Sequence, residues 1–162
     1  MALVTLPDGV AVVLDIAAWG AFHAATGYAA HRLPPRRVDH DGWLLRPRRW
    51  ETARGYRRWL RIDRWKDALP EAGALFAGGI SKRQLPARDV VGLTLFARET
   101  RRAELAHWGA MACAPLFLLW NRPLAAGLLV AYGVAVNAPF IVIQRYNRLR
   151  IYALLDRLPH GR

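Results

Sequence analysis

Two carboxylates and an imidazole share the stretch ETRRAELAHW, Glu99–Trp108. On a helix, side chains three apart are neighbours. Glu99 then stands by Arg102, Arg101 by Glu104, and Glu104 by His107. A carboxylate beside an imidazole can orient the ring and raise its basicity, which is what a proton-transfer step needs. The same spacing also describes a solvated helix end laced with ion pairs. The stretch closes a basic section and runs directly into an apolar one, so the pair would stand at a polar–apolar boundary.

Other polar side chains have a type or place that suits chemistry. Nearly all basic residues are Arg; Lys occurs only at Lys66 and Lys82, and Ser81 is the only Ser. A compact ammonium does what a guanidinium cannot, so Lys82 is a candidate for stabilising a developing oxyanion, and Lys66 and Ser81 for substrate binding. Ser81 lacks the G-x-S-x-G setting of a nucleophile elbow, and the neighbouring Gly78-Gly79 is not part of a phosphate-binding G-x-x-x-x-G-K-[ST] loop. Towards the C-terminus, Asn137, Gln144 and Arg148 fall on one face of a helix, with Arg145 beside them. Polar groups in an apolar helix bond another helix or line a cavity. Glu99, Glu104, His107 and Lys82 are therefore the catalytic candidates; Lys66, Ser81, Asn137, Gln144, Arg145 and Arg148 are the binding candidates.

The elements that carry these residues follow from the contrast between composition and charge. The chain has 162 residues, 54% of them hydrophobic, yet a net charge of +12. An ordinary soluble domain does not combine the two. Clustered apolar spans with Arg at the headgroups do. Val10–Ala30 is an apolar run of about 21 residues, long enough to cross a bilayer. Pro7 and Asp8 suit its start. The stretch before it carries Asp8 and neither Lys nor Arg, unlike a signal peptide. Asp15 and His23 lie inside the run. Ionisable groups there should face protein, water or substrate, although His23 also fits as a hydrogen-bonded packing residue.

Arg32–Arg64 holds eleven Arg residues interleaved with Trp43, Trp50, Tyr56 and Trp59. Aromatics among Arg suit nucleic acid or a membrane surface; directly after a span the membrane reading prevails, and no nucleic-acid partner is expected. Asp89 can cap a helix beginning at Val90. Pro115 interrupts the apolar run Leu105–Trp120, Asn121-Arg122-Pro123 forms a turn, and Leu124–Ile143 is a further span that Pro139 should kink. With both Arg-rich zones, Arg32–Arg64 and the group Arg145, Arg148 and Arg150, on one side, the expectation is an all-α, multi-pass membrane protein with about three transmembrane helices plus interfacial amphipathic helices. Residues 8–31 form the first span, 32–102 a basic cytoplasmic region, 103–144 a helical hairpin and 145–162 a cytoplasmic tail, all within one membrane domain. The single Cys113 excludes an intrachain disulfide.

Several separated blocks carry a family resemblance. They are Trp65-Lys66-Asp67, Leu69-Pro70, Ala72-Gly73, Gly78-Gly79, Ser81-Lys82, Glu99-Thr100, Arg102-Ala103-Glu104, His107-Trp108, Asn137, Pro139-Phe140 and Gln144–Arg148. Together the set, within Trp50–Arg150, resembles the glycosyl-4,4'-diaponeurosporenoate acyltransferase family, small membrane proteins of bacterial carotenoid synthesis. The resemblance implies transfer of a fatty acyl group to a sugar hydroxyl of a glycosylated carotenoid, giving a staphyloxanthin-type ester. The implied partners are membrane lipids, an acyl-CoA or acyl carrier protein, and a glycosylated carotenoid or similar glycolipid acceptor in a bacterial cell membrane. No cofactor or metal is expected beyond the thioester co-substrate. In the expected mechanism His107, oriented by Glu104, takes the hydroxyl proton. Two other classes stay open: a metal-dependent lipid-modifying enzyme, for which Glu104-x-x-His107 supplies half of a di-iron pattern, and a non-catalytic membrane adaptor.

Overall fold

Pro7 and Asp8 open the first helix, α1, which runs Asp8–His31. Proline has no N–H to lose at a helix start, and the Asp8 carboxylate lies at the positive end of the helix dipole. The computed structural model describes residues 3–4, 6–69 and 89–158, and all regular structure among them is helical. After α1 come one short 3-10 turn, Pro35–Arg37, then the seven-residue α2, Ala53–Trp59, capped by the Thr52 hydroxyl accepting from the Gly55 N–H at 3.0 Å, and two more 3-10 turns, Ile62–Arg64 and Lys66–Ala68. Then follow α3, Val90–Cys113, and α4, Pro123–Leu155.

Asp89 caps α3 as its sequence position suggests, its Oδ1 accepting from the Gly92 N–H at 2.7 Å. The helix stops at Cys113 because Pro115 cannot donate the next backbone bond and disfavours an α conformation at Ala114. Residues Ala114–Leu119 continue as a 3-10 helix. Two helices, α1 and α4, are long and apolar enough to cross a membrane; the expected first hairpin arm from 103 to 120 is part α-helix and part 3-10. α4 does not end with its apolar part near Ile143. It runs through Pro139 to Leu155 as one helix, since its basic end contains neither Gly nor Pro and buries Tyr146 and Ile151.

The chain falls into two compact units. The first comprises residues 1–32 and 105–141. Its core is Trp19, Ala114, Phe117 and Ala126, with Phe22, Trp120, Leu129 and Val130 packed around them. The Trp19 ring meets Phe117 at 5.2 Å and Tyr132 at 5.6 Å between centroids. Gly133 makes room for it: a Cβ there would lie 2.4 Å from the indole. Asp15 ties this unit together, its Oδ1 accepting from Trp120 Nε1 and Asn121 Nδ2, both at 2.8 Å. His23 has the packing role, its Nδ1 bonding the Trp19 carbonyl at 2.9 Å. Of α1, only Trp19 and Ala30 are buried, while Val10, Val12, Val13 and Ile16 are exposed. Such a run of apolar side chains left outside the core is an exposed apolar patch.

The second unit comprises residues 33–104 and 142–162, so it contains both Arg-rich zones apart from Arg32. Leu93, Phe96 and Ala97 of α3 pack on Ile151 of α4, and Tyr56 and Ile62 pack on Tyr146. Trp43, Trp50 and Trp59 are exposed.

Candidate functional site

Three arginines and three carboxylates form an alternating chain in the second unit. Arg101 Nε donates to Asp41 Oδ1 at 2.7 Å, and Arg148 Nε lies 3.3 Å from that same oxygen. Arg148 Nη2 donates to Glu104 Oε2 at 2.7 Å. Glu104 Oε1 accepts from Arg145 Nε at 2.7 Å, and Arg145 Nη1 reaches both Glu51 oxygens at 3.0 Å. The order is therefore Arg101, Asp41, Arg148, Glu104, Arg145, Glu51, with charges cancelling along it. Glu104 and Arg148 are completely buried, and ions that far from water are tolerated only when paired and hydrogen-bonded.

The same guanidiniums hold the loop that follows α1. Arg101 Nη1 donates to the Val38 carbonyl at 2.9 Å, Arg145 Nη2 to Leu44 at 2.6 Å, and Arg148 Nη2 to Leu45 at 2.6 Å. Two tyrosines complete the chain: Tyr152 donates to Asp41 and Tyr56 to Glu51, each at 2.7 Å. Burial pushes the Glu51 carboxyl up, but the Arg48 N–H, the Tyr56 hydroxyl and the Arg145 guanidinium outweigh it and hold Glu51 below the usual carboxylate range. Burial and the adjacent Glu51 charge push the Tyr56 phenol up.

This chain brings together three candidates, Glu104, Arg145 and Arg148. It also corrects one expected pairing: Arg101 is bonded to Asp41, Tyr152 and the Val38 carbonyl, not to Glu104. Buried partners with several bonds outcompete a neighbour three residues away, whose interaction is worth only a few tenths of a kcal/mol. Glu99 does pair as its spacing suggests, with Arg102 at 3.1 Å. Gln144 is buried, and its Oε1 has no hydrogen-bond partner among the described residues. Lys66 bonds its neighbour Asp67 at 2.7 and 2.8 Å. Ser81, Lys82 and the Gly78-Gly79 pair lie outside the described residues.

In the first unit, α3 and α4 bring His107 and Asn137 together. His107 Nδ1 lies 2.9 Å from Asn137 Oδ1. The imidazole stacks on Phe140, with centroids 4.7 Å apart and planes within 8°. Asn137 is completely buried, and its Nδ2 donates to the Gly133 carbonyl at 2.8 Å. Gly133, Asn137 and Phe140 recur at i, i+4 and i+7, one face of α4. The hydrogen bond at Nδ1 and the ring face of Phe140 position the imidazole, a group that can accept or release a proton. Among the described residues, no group of three His, Cys, Asp or Glu side chains comes together as metal ligands would.

Asp41, Glu51, Arg101 and Tyr56 were not site candidates in the sequence. Glu51 and Arg145 are 94 positions apart, and Arg101 and Asp41 are 60 apart. The available signal was a shortage: few acids stand among many Arg between Arg32 and Arg64, so those acids are natural partners for arginines buried elsewhere.

These features define a helical protein with two helices able to cross a membrane, a positioned imidazole in the C-terminal half of α3 and a buried arginine–carboxylate chain. Residues 41–157 match the family described as glycosyl-4,4'-diaponeurosporenoate acyltransferase. The chain belongs to this family. It is similar to the glycosyl-4,4'-diaponeurosporenoate acyltransferase of Staphylococcus haemolyticus (strain JCSC1435), with 33% identity over 92 residues, 57% of this chain and 53% of the relative. It is also similar to the protein of the same name from Staphylococcus aureus (strain MRSA252), with 28% identity over 101 residues, 62% of this chain and 60% of the relative. The chain thus spans little more than half the length of the curated relatives it matches. No solved structure matches it.

Proposed function

We propose that this chain is a membrane-bound O-acyltransferase. It moves a fatty acyl group from an acyl carrier thioester, acyl-CoA or acyl carrier protein, to a sugar hydroxyl of a glycosylated carotenoid or similar glycolipid. The observation that carries this reading is the family match over residues 41–157. The relatives' names supply the acceptor class. The apolar surface that α1 and α4 leave outside the protein supports a lipid environment. That both Arg-rich zones belong to one unit supports placing them together on the cytoplasmic side, with the N-terminus outside and three apolar segments crossing or entering the bilayer.

In this mechanism His107 is the general base. The sugar hydroxyl gives its proton to the imidazole as its oxygen attacks the thioester carbonyl carbon. The carbon–sulfur bond then breaks, and the departing thiolate takes the proton back from the imidazolium. No Ser or Cys nucleophile is required. Lys82 or a neighbouring Arg stabilises the tetrahedral oxyanion. The test is direct. Membranes containing the protein are incubated with an acyl-CoA and a glycosylated carotenoid, and extracts are read by mass spectrometry. The acceptor should gain the mass of one fatty acyl group in an ester. Unchanged acceptor with both acyl-CoA and acyl carrier protein as donors would overturn the reading.

A further inference from the structure

We infer that Asn137 is the positioning residue of the proton-transfer site: it fixes the tautomer of His107 so that Nε2, not Nδ1, is the basic nitrogen. The inference rests on the reading of His107 as general base and deepens it. It follows from hydrogen-bond accounting on α4.

The amide of Asn137 has one donor end and one acceptor end. Which end is which is an assignment made from its partners. The Gly133 carbonyl oxygen, 2.8 Å away, has no proton. It must face the NH2 group, because a flipped amide would set two oxygens against each other in a fully buried position. The end that meets His107 at 2.9 Å is therefore Oδ1. A carboxamide oxygen only accepts, so Nδ1 of His107 carries the hydrogen, and in the neutral ring the lone pair is on Nε2. Phe140, stacked with centroids 4.7 Å apart, holds the plane of the ring, and the bond to Asn137 selects the orientation that presents Nδ1 to it.

The device is a neutral counterpart of the carboxylate that orients histidine in acid–base triads. A neutral amide sets the tautomer and aims the ring without adding a charge. That suits a partner completely buried in an apolar helix, where an unpaired carboxylate would be costly. Asn137 thereby has a role distinct from a direct substrate contact and from interhelical packing.

Two experiments test this. In protein labelled with 15N-histidine, the His107 signals are assigned by their loss in His107→Ala. Nδ1 should give a protonated-nitrogen shift and Nε2 an unprotonated one at a pH where the ring is neutral; the reverse pattern would overturn the assignment without any activity measurement. The second is a double-mutant cycle on acyl transfer at equal membrane protein level. Asn137→Leu should lower kcat roughly 10–100-fold, the usual cost of losing an orienting partner, and should have no further effect in the His107→Ala background. An equal loss in both backgrounds would show that Asn137 acts independently of His107, and the inference fails while the base assignment stands. Near-normal turnover by His107→Ala would instead remove the base assignment itself, and the positioning role with it.

Discussion

Removing one member of the buried charge chain should destabilise the protein far more than removing a matched pair. Glu104 and Arg148 are both completely buried and bonded to each other at 2.7 Å. Glu104→Gln leaves three arginines against two carboxylates. It also turns an NH2 group towards either Arg145 Nε or Arg148 Nη2, so that donor faces donor. Arg148→Met leaves the opposite imbalance and strips the Leu45 carbonyl of its donor. Breaking a buried pair by deleting one partner costs about 3–5 kcal/mol. In a chain of this size that lowers a thermal midpoint by roughly 6–20 °C. Glu104→Leu with Arg148→Met leaves two neutral pairs, Asp41–Arg101 and Glu51–Arg145, and swaps two ions for apolar side chains. The double variant should be less destabilised than the sum of the single variants, by a coupling of about 1–3 kcal/mol. Recovery is incomplete because Leu45 and Arg145 each lose a bond. The assay is the fraction of detergent-solubilised protein that stays monodisperse after heating, read by size exclusion. Additive midpoint shifts would refute the coupled chain, and single variants as stable as the wild type would refute its contribution altogether.

Gly133→Ala should destabilise the first unit by about 1–3 kcal/mol, because the added methyl meets the packed indole of Trp19; Trp19→Phe in the same protein should restore part of the loss in the same heating assay. Glu51 has a folded pKa held below its unfolded value, so the stability it contributes is present above about pH 4.5 and is lost as pH falls through the folded value. Glu51→Gln should lower the midpoint at pH 7 and flatten its decline in acid. For topology, single cysteines placed at the exposed positions His40 and Arg157 in a Cys113→Ala background should resist an impermeant thiol reagent in intact cells; labelling of both from outside would reverse the orientation.

The outline of the helices was legible because local rules wrote it. The run Val10–Ala30 lies inside α1, Asp89 caps α3, and Pro115 ends it, each through one nearby residue. The extent of α4 was partly legible: the shared face of Asn137, Gln144 and Arg148 carries the helix past its apolar span, and the buried Tyr146 and Ile151 go with its continuation to Leu155. The ion chain was illegible for a different reason. Buried pairs are chosen by tertiary proximity, and no periodicity links Glu51 to Arg145 or Asp41 to Arg101. His107 could be singled out by its place at a polar–apolar boundary and Asn137 by its polarity in an apolar helix. That the two meet depends on how α3 and α4 pack, which the spacing within either helix does not contain.

The central claim is that His107 moves the proton in acyl transfer. Its most direct test is the turnover of His107→Ala in membranes, with an acyl thioester and a glycosylated acceptor, at equal levels of folded protein. A positioned base contributes about 10²–10⁴-fold to rate, so turnover should fall by that factor. His107→Gln should not restore it, and Glu104→Gln should cost less once its loss of folded protein is taken into account. Near-normal turnover by His107→Ala would contradict the account.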